Sequence, residues 1–310
     1  TVVSLRLRIR GTVVMQPLLN GKKIAVMGGD ARELVVVEEL AAAGAMVNVA
    51  GLPAKTGPNI AVFRTPKDCL LGVDALVLPS PGINEDGFIY APLASNSLLL
   101  NEQLVSFIPS NIPVFVGFAR PKLVQLLEHK NLRIYELMKN DDVAIYNSIP
   151  TAEGAVQRAM EMMPVTIHGC TAYVLGFGRT GTTLARLLGA MGAVTRVVAR
   201  NKAALARIAA MNLTPVPFNQ LSESIREADV IFNTVPSMVL TKDVLENVSP
   251  EVVIIDIASA PGGTDFQAAE KLGIKAVLEP GLPGRVAPKT AGRILAKSII
   301  GFLMEETTGG

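Results

Sequence analysis

From Gly21 onward the chain repeats one pattern: a short run of Val, Ile, Leu and Ala, then a longer stretch with apolar residues at helical spacing. Lys23–Met27 predicts a strand, Ala31–Ala43 a helix, and Met46–Ala50 the next strand. Val73–Leu78, Val114–Phe118 and a shorter Val143–Tyr146 continue the strands. At Asn147–Thr151 (NSIPT) the chain is predicted to turn into a connecting helix, Ala152–Met163, which stops at Pro164. A second series follows, with strand Thr171–Leu175, helix Thr180–Met191, and strands Thr195–Ala199, Val230–Asn233, Val252–Ile257 and Lys275–Leu278. A last amphipathic helix is expected over Lys289–Met304. Uninterrupted apolar strands belong to parallel sheets covered on both faces, and strand–helix alternation builds βαβ units. The fold class is therefore α/β, with two Rossmann-like, doubly wound domains. Their expected limits are 15–150 and 151–285, with 286–310 as a C-terminal segment.

Residues 1–14 read differently. Arg6, Arg8 and Arg10 interrupt any apolar core of a signal peptide, and no small-residue cleavage site follows. The expectation is a non-native or misassigned leader with Met15 as the initiator, an edge strand being the alternative. Hydrophobic residues at 49% and charged residues at 18% exclude a disordered chain or a coiled coil. No apolar run reaches the ~18 residues of a membrane span. The net charge of +2, no Trp and only four Tyr give no basic, base-stacking face for nucleic acid. Cys69 and Cys170 are too few for a disulfide framework and fit a reducing cytoplasm. The two histidines, His129 and His168, are too few for a His/Cys metal cluster; the first reads as solvated and the second as structural.

Gly176-Phe177-Gly178-Arg179-Thr180-Gly181 matches G-x-G-x-x-G, and it follows a strand and opens a helix. In that context Gly176 serves the tight turn, Gly178 admits a diphosphate, and Gly181 lets helix and strand approach. Arg179 and Thr180 lie in the same turn. NAD sites place an acid at the end of the next strand, ~20 residues on, to hold the ribose hydroxyls. Here Arg200, Asn201 and Lys202 stand there with no acid, so a 2′-phosphate and hence NADP are expected. The ends of two later strands, Asn233-Thr234 with Pro236 and Asp256 with Ala258-Ser259, should open on the same crevice. Ordinary turn chemistry would explain the same residues.

GGDAR (Gly28–Arg32), AIYNSIPTAEG (Ala144–Gly154), VLGFGRTG (Val174–Gly181), FNTVPS (Phe232–Ser237), DIASAPGGTDF (Asp256–Phe266) and PGLPGRVAPKTAG (Pro280–Gly292) together resemble the family of the dipicolinate synthase A-subunit. The resemblance runs from about Gly21 to Met304, and departs from the family in the leader and around PSPGINEDG (Pro79–Gly87). It implies an NADP-dependent oxidoreductase of a sporulating bacterium, in the mother-cell cytoplasm, that turns a dihydrodipicolinate derived from hydroxytetrahydrodipicolinate into dipicolinate. It also implies a partner, the flavoprotein-like B-subunit of dipicolinate synthase, and a homo-oligomer. The layout is similar to that of two-domain dehydrogenases, whose last helix returns to the first domain.

That chemistry needs donors for two carboxylates, a hydride acceptor and a proton acceptor. Lys289 and Thr290, in the first turn of the last helix, oppose its dipole and suit an anion, although Lys289 could equally swing into solvent. Asn147, Ser148 and Thr151 border the expected connector-helix start, as caps or as carboxylate ligands. Glu153, in the expected first turn, is the candidate proton acceptor, and Lys289 is its catalytic companion. Arg32 could hold a carboxylate beside Asp30, or Asp30 could cap a helix. No second dinucleotide site is expected at Gly28-Gly29. A D-2-hydroxyacid dehydrogenase is the enzymatic rival, but no His follows His168 to serve as its acid/base. A non-catalytic NADP-binding subunit is the other.

Overall fold

The computed structural model describes residues 18–308, preceded by two short strands, β1 (Arg8–Ile9) and β2 (Thr12–Val13), paired antiparallel. The leader expectation otherwise falls outside the described residues. The chain divides into two units, residues 1–143 with 288–310, and residues 144–287.

Unit 1 contains β3 (Lys23–Met27), α1 (Ala31–Ala42), β4 (Met46–Ala50), β5 (Ile60–Val62), α2 (Pro66–Leu70), β6 (Ala75–Val77), α3 (Glu102–Val105), β7 (Pro113–Val116), α4 (Pro121–Glu128) and β8 (Arg133–Glu136). Helix α5 (Asp141–Met162) carries the chain out of it. Unit 2 contains β9 (Thr171–Leu175), α6 (Arg179–Ala190), β10 (Val194–Ala199), α7 (Lys202–Ala210), β11 (Thr214–Pro217), α8 (Leu221–Ser224), β12 (Val230–Asn233), α9 (Lys242–Leu245), β13 (Val253–Asp256), α10 (Phe266–Lys271), β14 (Lys275–Leu278) and α11 (Leu282–Val286). Helix α12 (Pro288–Thr308) then belongs to unit 1 again.

Each unit is built on a six-stranded, all-parallel sheet, ordered β5-β4-β3-β6-β7-β8 and β11-β10-β9-β12-β13-β14. Both are the doubly wound order, with its reversal between the first and fourth strands. The central strands are buried along their length, as their apolar runs require. Of the four outer strands, β14 is the one the pattern reveals; β5, β8 and β11 are half-exposed and lack such runs, so the hydrophobic pattern misses them. Strand β11 reads Thr-Pro-Val-Pro, a sequence tolerated because a sheet edge leaves backbone groups unpaired.

The return of α12 is a packing event. Leu295, Ala296, Ile299 and Leu303 enter the same buried cluster as Val36, Val37 and Leu40 of α1 and Ile24 and Val26 of β3. Each large side chain so buried contributes roughly 1.5–3 kcal/mol. Gly292 permits the approach, since a Cβ there would lie 2.7 Å from the Cβ of Val35.

One expectation is overturned. Val143–Tyr146 is not a strand, and residues 147–151 do not begin a helix; all lie inside α5, which starts at Asp141. Pro150 in mid-helix removes one backbone donor. The neighbouring hydroxyls are turned back onto the same helix: Ser148 donates to the Ile145 carbonyl at 2.6 Å and Thr151 to that of Asn147 at 2.8 Å. Ser-x-Pro-Thr therefore resembles a cap in sequence while serving a proline-bearing turn. Among the described residues no helix is long and apolar enough to cross a membrane.

Candidate functional site

In unit 2 the sheet order reverses between β9 and β12, and the glycine turn lies beyond the C-terminal end of β9. Gly176 has φ +96°, in the left-handed region. A Cβ on Gly181 would collide with the Gly176 carbonyl, so helix and strand meet there at backbone distance. Thr234, just past β12, lies beneath: its hydroxyl donates to the Leu175 carbonyl at 2.8 Å and would sit 3.3 Å from a Gly181 Cβ. Gly178 is different. It is exposed, has an ordinary φ of −87°, and a Cβ there would meet nothing within 4 Å. The fold does not need glycine at 178, whereas a group lying against that backbone would. Gly178 also begins α6 with no side-chain cap, and no acid stands in the first turn. The N–H groups and positive end of a 12-residue helix are thus left to an anion. These residues fit the diphosphate of a dinucleotide.

Beyond β10 come Arg200, Asn201 and Lys202, all exposed. The Arg200 guanidinium lies 5.1 Å from the Phe218 ring centroid and has no carboxylate partner among the described residues. Asn201 is the N-cap of α7, its Oδ1 accepting from Ala204 N at 2.7 Å, so that atom is not free for a ligand. Lys202 opens the helix.

The ends of β12 and β13 correct another expectation. Asn233 and Asp256 are both fully buried and turned toward each other, with Asn233 Nδ2 donating to Asp256 Oδ2 at 3.0 Å. The same carboxylate oxygen accepts from Gly263 N at 2.8 Å and the Thr264 hydroxyl at 2.7 Å, while Oδ1 accepts from Ala258 N at 3.0 Å. Asn233 Oδ1 accepts from Val235 N. These side chains hold two loops together: both amide hydrogens of Asn233 and both carboxylate oxygens of Asp256 are engaged within the protein. Pro236 and Ser259 are exposed beside them, and Ala258 is buried.

The expected substrate residues scatter. The hydroxyl of Ser148 is buried and shared with Thr183, 2.6 Å away, and that of Thr151 bonds its own helix. Neither is free at a helix end. Asn147 is half-buried, and Glu153 is exposed in the middle of α5, so the helix-start reason for choosing it disappears. Lys289 and Thr290 are exposed in the first turn of α12. Arg32 is buried and committed: its Nε and Nη2 donate to Asp30 Oδ1 and Oδ2 at 3.0 and 2.9 Å. It is not an open carboxylate clamp.

Unit 1 treats its own switch point oppositely. Asp30 caps α1, and Glu33 closes a capping box by accepting from Asp30 N at 2.8 Å. Glu33 Oε1 also accepts from Ser80 N, 3.3 Å away, in the loop after β6. Gly29 N donates to the Tyr90 carbonyl, and a Cβ on Gly28 would lie 2.6 Å from Ile89 Cγ2, so the 89–90 segment covers the turn. Where α6 is open to an anion, α1 is plugged by acids and its own chain. Burial pushes the Glu33 carboxyl up to about 7, Arg32 opposing. Burial also acts to raise Asp30, but the hydrogen bond and charge of Arg32 prevail and hold it below the usual range. Sequence reasoning missed Glu33 and Ser80, although Asp-Ala-Arg-Glu is a legible capping box. It also missed Glu279, buried just past β14 between Arg158 of α5 (2.6 Å) and Arg285 of α11. Burial raises that carboxyl, and its two arginine partners more than reverse the shift.

A doubly wound sheet with an uncapped glycine turn at its reversal is the dinucleotide half of a two-domain dehydrogenase. Residues 143–262 match the family described as D-isomer specific 2-hydroxyacid dehydrogenase, NAD binding domain, and residues 23–138 match the N-terminal domain of the dipicolinate synthase A-subunit. The dipicolinate synthase A-subunit of Bacillus subtilis (strain 168) is 39% identical over 290 residues, covering 93% of this chain and 98% of the relative. The crystal structure of the dipicolinate synthase A-subunit from Bacillus halodurans superposes with a TM-score of 0.88 at 41% identity, over 92% of this chain and 98% of that one. The crystal structure of its counterpart from Bacillus subtilis gives 0.87 at 38%, over 95% and 99%. The chain belongs to the dipicolinate synthase A-subunit family, and it is an oxidoreductase with a nicotinamide-dinucleotide domain. The resemblance and the fold class expected from the sequence are both borne out.

Proposed function

We propose that this chain oxidises a dihydrodipicolinate, formed from hydroxytetrahydrodipicolinate, to dipicolinate with NADP, in the cytoplasm of a sporulating mother cell. The observation that carries the reading is the open backbone at Gly178 before an uncapped α6, in a chain of this family. NADP when bound supplies the hydride acceptor. Gly176, Gly178 and Gly181, with Arg179 and Thr180, hold its diphosphate. Arg200 and Lys202 face the 2′-phosphate, a role supported by the lack of any acid in 199–202. Thr234, Pro236, Ala258 and Ser259 border the nicotinamide end, with Asn233 and Asp256 bracing the loops that present them.

The N-terminal domain, taken as 15–150 with the returning 286–310, binds the diacid, and 151–285 binds the cofactor. Lys289 and Thr290, exposed in the first turn of α12, offer a charged and a neutral donor to a carboxylate of the diacid. Aromatisation favours the reaction, so the protein's work is orientation and charge neutralisation. The flavoprotein-like B-subunit and self-association complete the assembly.

The test supplies hydroxytetrahydrodipicolinate with NADP or NAD, with and without a candidate flavoprotein-like partner, and follows dipicolinate by its ultraviolet absorbance. Dipicolinate appearing faster with NADP is expected. No dipicolinate under any of these conditions overturns the reading, and a preference for NAD overturns the cofactor assignment.

A further inference from the structure

One cavity of unit 1 has no part in the chemistry above. It lies past the C-terminal ends of β4 and β5, on the side of a parallel sheet where open α/β folds receive ligands. Its volume of about 390 Å³ stands at the small end of the ~300–1,000 Å³ range of small-molecule sites, room for one substituted ring and too little for a dinucleotide. Its walls are fixed by the backbone. Gly51, the first residue past β4, has φ +72°, and a Cβ there would lie 2.2 Å from Leu98 Cδ1, so the turn after β4 meets the 93–98 loop at close range. That loop is tied at both ends: Ala94 N donates to the Ala91 carbonyl at 3.1 Å, and the Leu98 carbonyl accepts from Ile89 N at 2.8 Å. The chain leaving β5 is held in turn, with Phe63 N donating to the Val49 carbonyl at 2.8 Å.

The lining joins two kinds of surface. Leu52, Val62, Phe63 and Leu93 are apolar, and the second and fourth of these are exposed. Arg64 is the one charged residue among those that line the cavity, and no acid stands with it. Its guanidinium is exposed and has no hydrogen-bond or ion-pair partner among the described residues. The acid nearest to it along the chain, Asp68, accepts instead from the Thr65 hydroxyl at 2.5 Å. Ser95, Asn96 and Ser97 are exposed on the loop, and neither their side chains nor their backbone N–H groups have a protein partner among the described residues. An unopposed guanidinium with a run of uncommitted donors suits a carboxylate, and apolar walls beside them suit the ring that bears it.

We propose that this cavity binds a small ring carboxylate, of the pyridine or benzene class. Arg64 pairs with the carboxylate, Ser95, Asn96 and Ser97 donate to its oxygens, and the ring rests on Phe63 and Leu93. Neither Lys289 nor Thr290 lines the cavity, so this site is additional to the one proposed for the reacting diacid.

The test titrates pyridine-2-carboxylate into the isotope-labelled full chain and follows the backbone amide resonances, with calorimetry for the affinity. The resonances of Arg64 and of residues 95–97 should move together along one saturation curve. Acetate, which lacks the ring, and pyridine, which lacks the carboxylate, should each bind at least about tenfold more weakly. Arg64→Ala should weaken pyridine-2-carboxylate about tenfold or more, the size of one charge-assisted pair. Its Tm and NADP affinity should not change, because the side chain is exposed and makes no contact that the fold uses. Arg64→Lys should recover part of the affinity, keeping the charge and losing the planar fork. Three results each overturn the proposal: no saturable shift at these residues with millimolar probe, the same affinity in Arg64→Ala as in the wild type, or acetate moving the same resonances as strongly. None of these measurements uses dipicolinate formation, so the cavity and the proposed function are tested apart.

Discussion

Glu33 offers a stability measurement independent of any ligand. The carboxyl is 1% exposed and titrates at about 7 in the fold, against 4.5 for the ordinary side chain, burial being the main cause. Between these two values the folded state holds a proton that the unfolded chain has released. Stability from this group is therefore complete below pH 4.5 and is lost as pH rises toward 7. The gap from 4.5 to about 7, at about 1.4 kcal/mol for each pH unit, amounts to roughly 3 kcal/mol. Replacing Glu33 by Gln removes the titration and keeps the size of the side chain. Urea unfolding of both proteins at several pH values from about 4.5 to about 8 gives the assay. The wild-type stability minus that of Glu33→Gln should fall by roughly 3 kcal/mol across the range, most of it below about pH 7, and then stay level. A flat difference would mean that burial does not govern this carboxyl. A rising difference would mean that the guanidinium of Arg32 outweighs burial and holds Glu33 ionised.

Three further outcomes are expected. Gly178→Ala should fold with an unchanged Tm and lose about tenfold or more in dinucleotide affinity, read by calorimetry, whereas Gly181→Ala should cost about 1–3 kcal/mol in urea unfolding through its clash with the Gly176 carbonyl. Arg200→Ala should weaken NADP about tenfold and leave NAD binding within about twofold, measured by fluorescence titration. Asp256→Asn should cost about 2–4 kcal/mol in chemical denaturation, since with its oxygen turned to Asn233, Gly263 and Thr264 the amide nitrogen faces the Ala258 N–H, and a charged acceptor is lost.

The parts of this molecule that are legible in the sequence are those whose cause is local. Strands such as Lys23–Met27 and Val230–Asn233 announce themselves because both faces are covered. The glycine turn is legible because six consecutive residues contain the whole device. Edge strands Ile60–Val62 and Thr214–Pro217 are not, since a half-exposed strand needs no apolar run. The start of α5 is hidden by Ser148, Pro150 and Thr151, whose hydroxyl-and-proline pattern is shared by helix caps and proline-bearing turns. What escapes altogether is pairing across strands. Asn233 finds Asp256 23 positions away and Ser80 finds Glu33 47 positions away, contacts that only the sheet order brings about.

The route of the backbone through the two units has a temporal consequence. The six strands 171–278 and the helices covering them are contiguous, so that sheet can close as soon as it clears the ribosome. The sheet that begins at Lys23 is made first yet must wait, because Leu295, Ala296, Ile299 and Leu303 of its core emerge after the strands of both sheets. During synthesis the earlier-made half holds an uncovered stripe along α1, and the later-made half is finished before it.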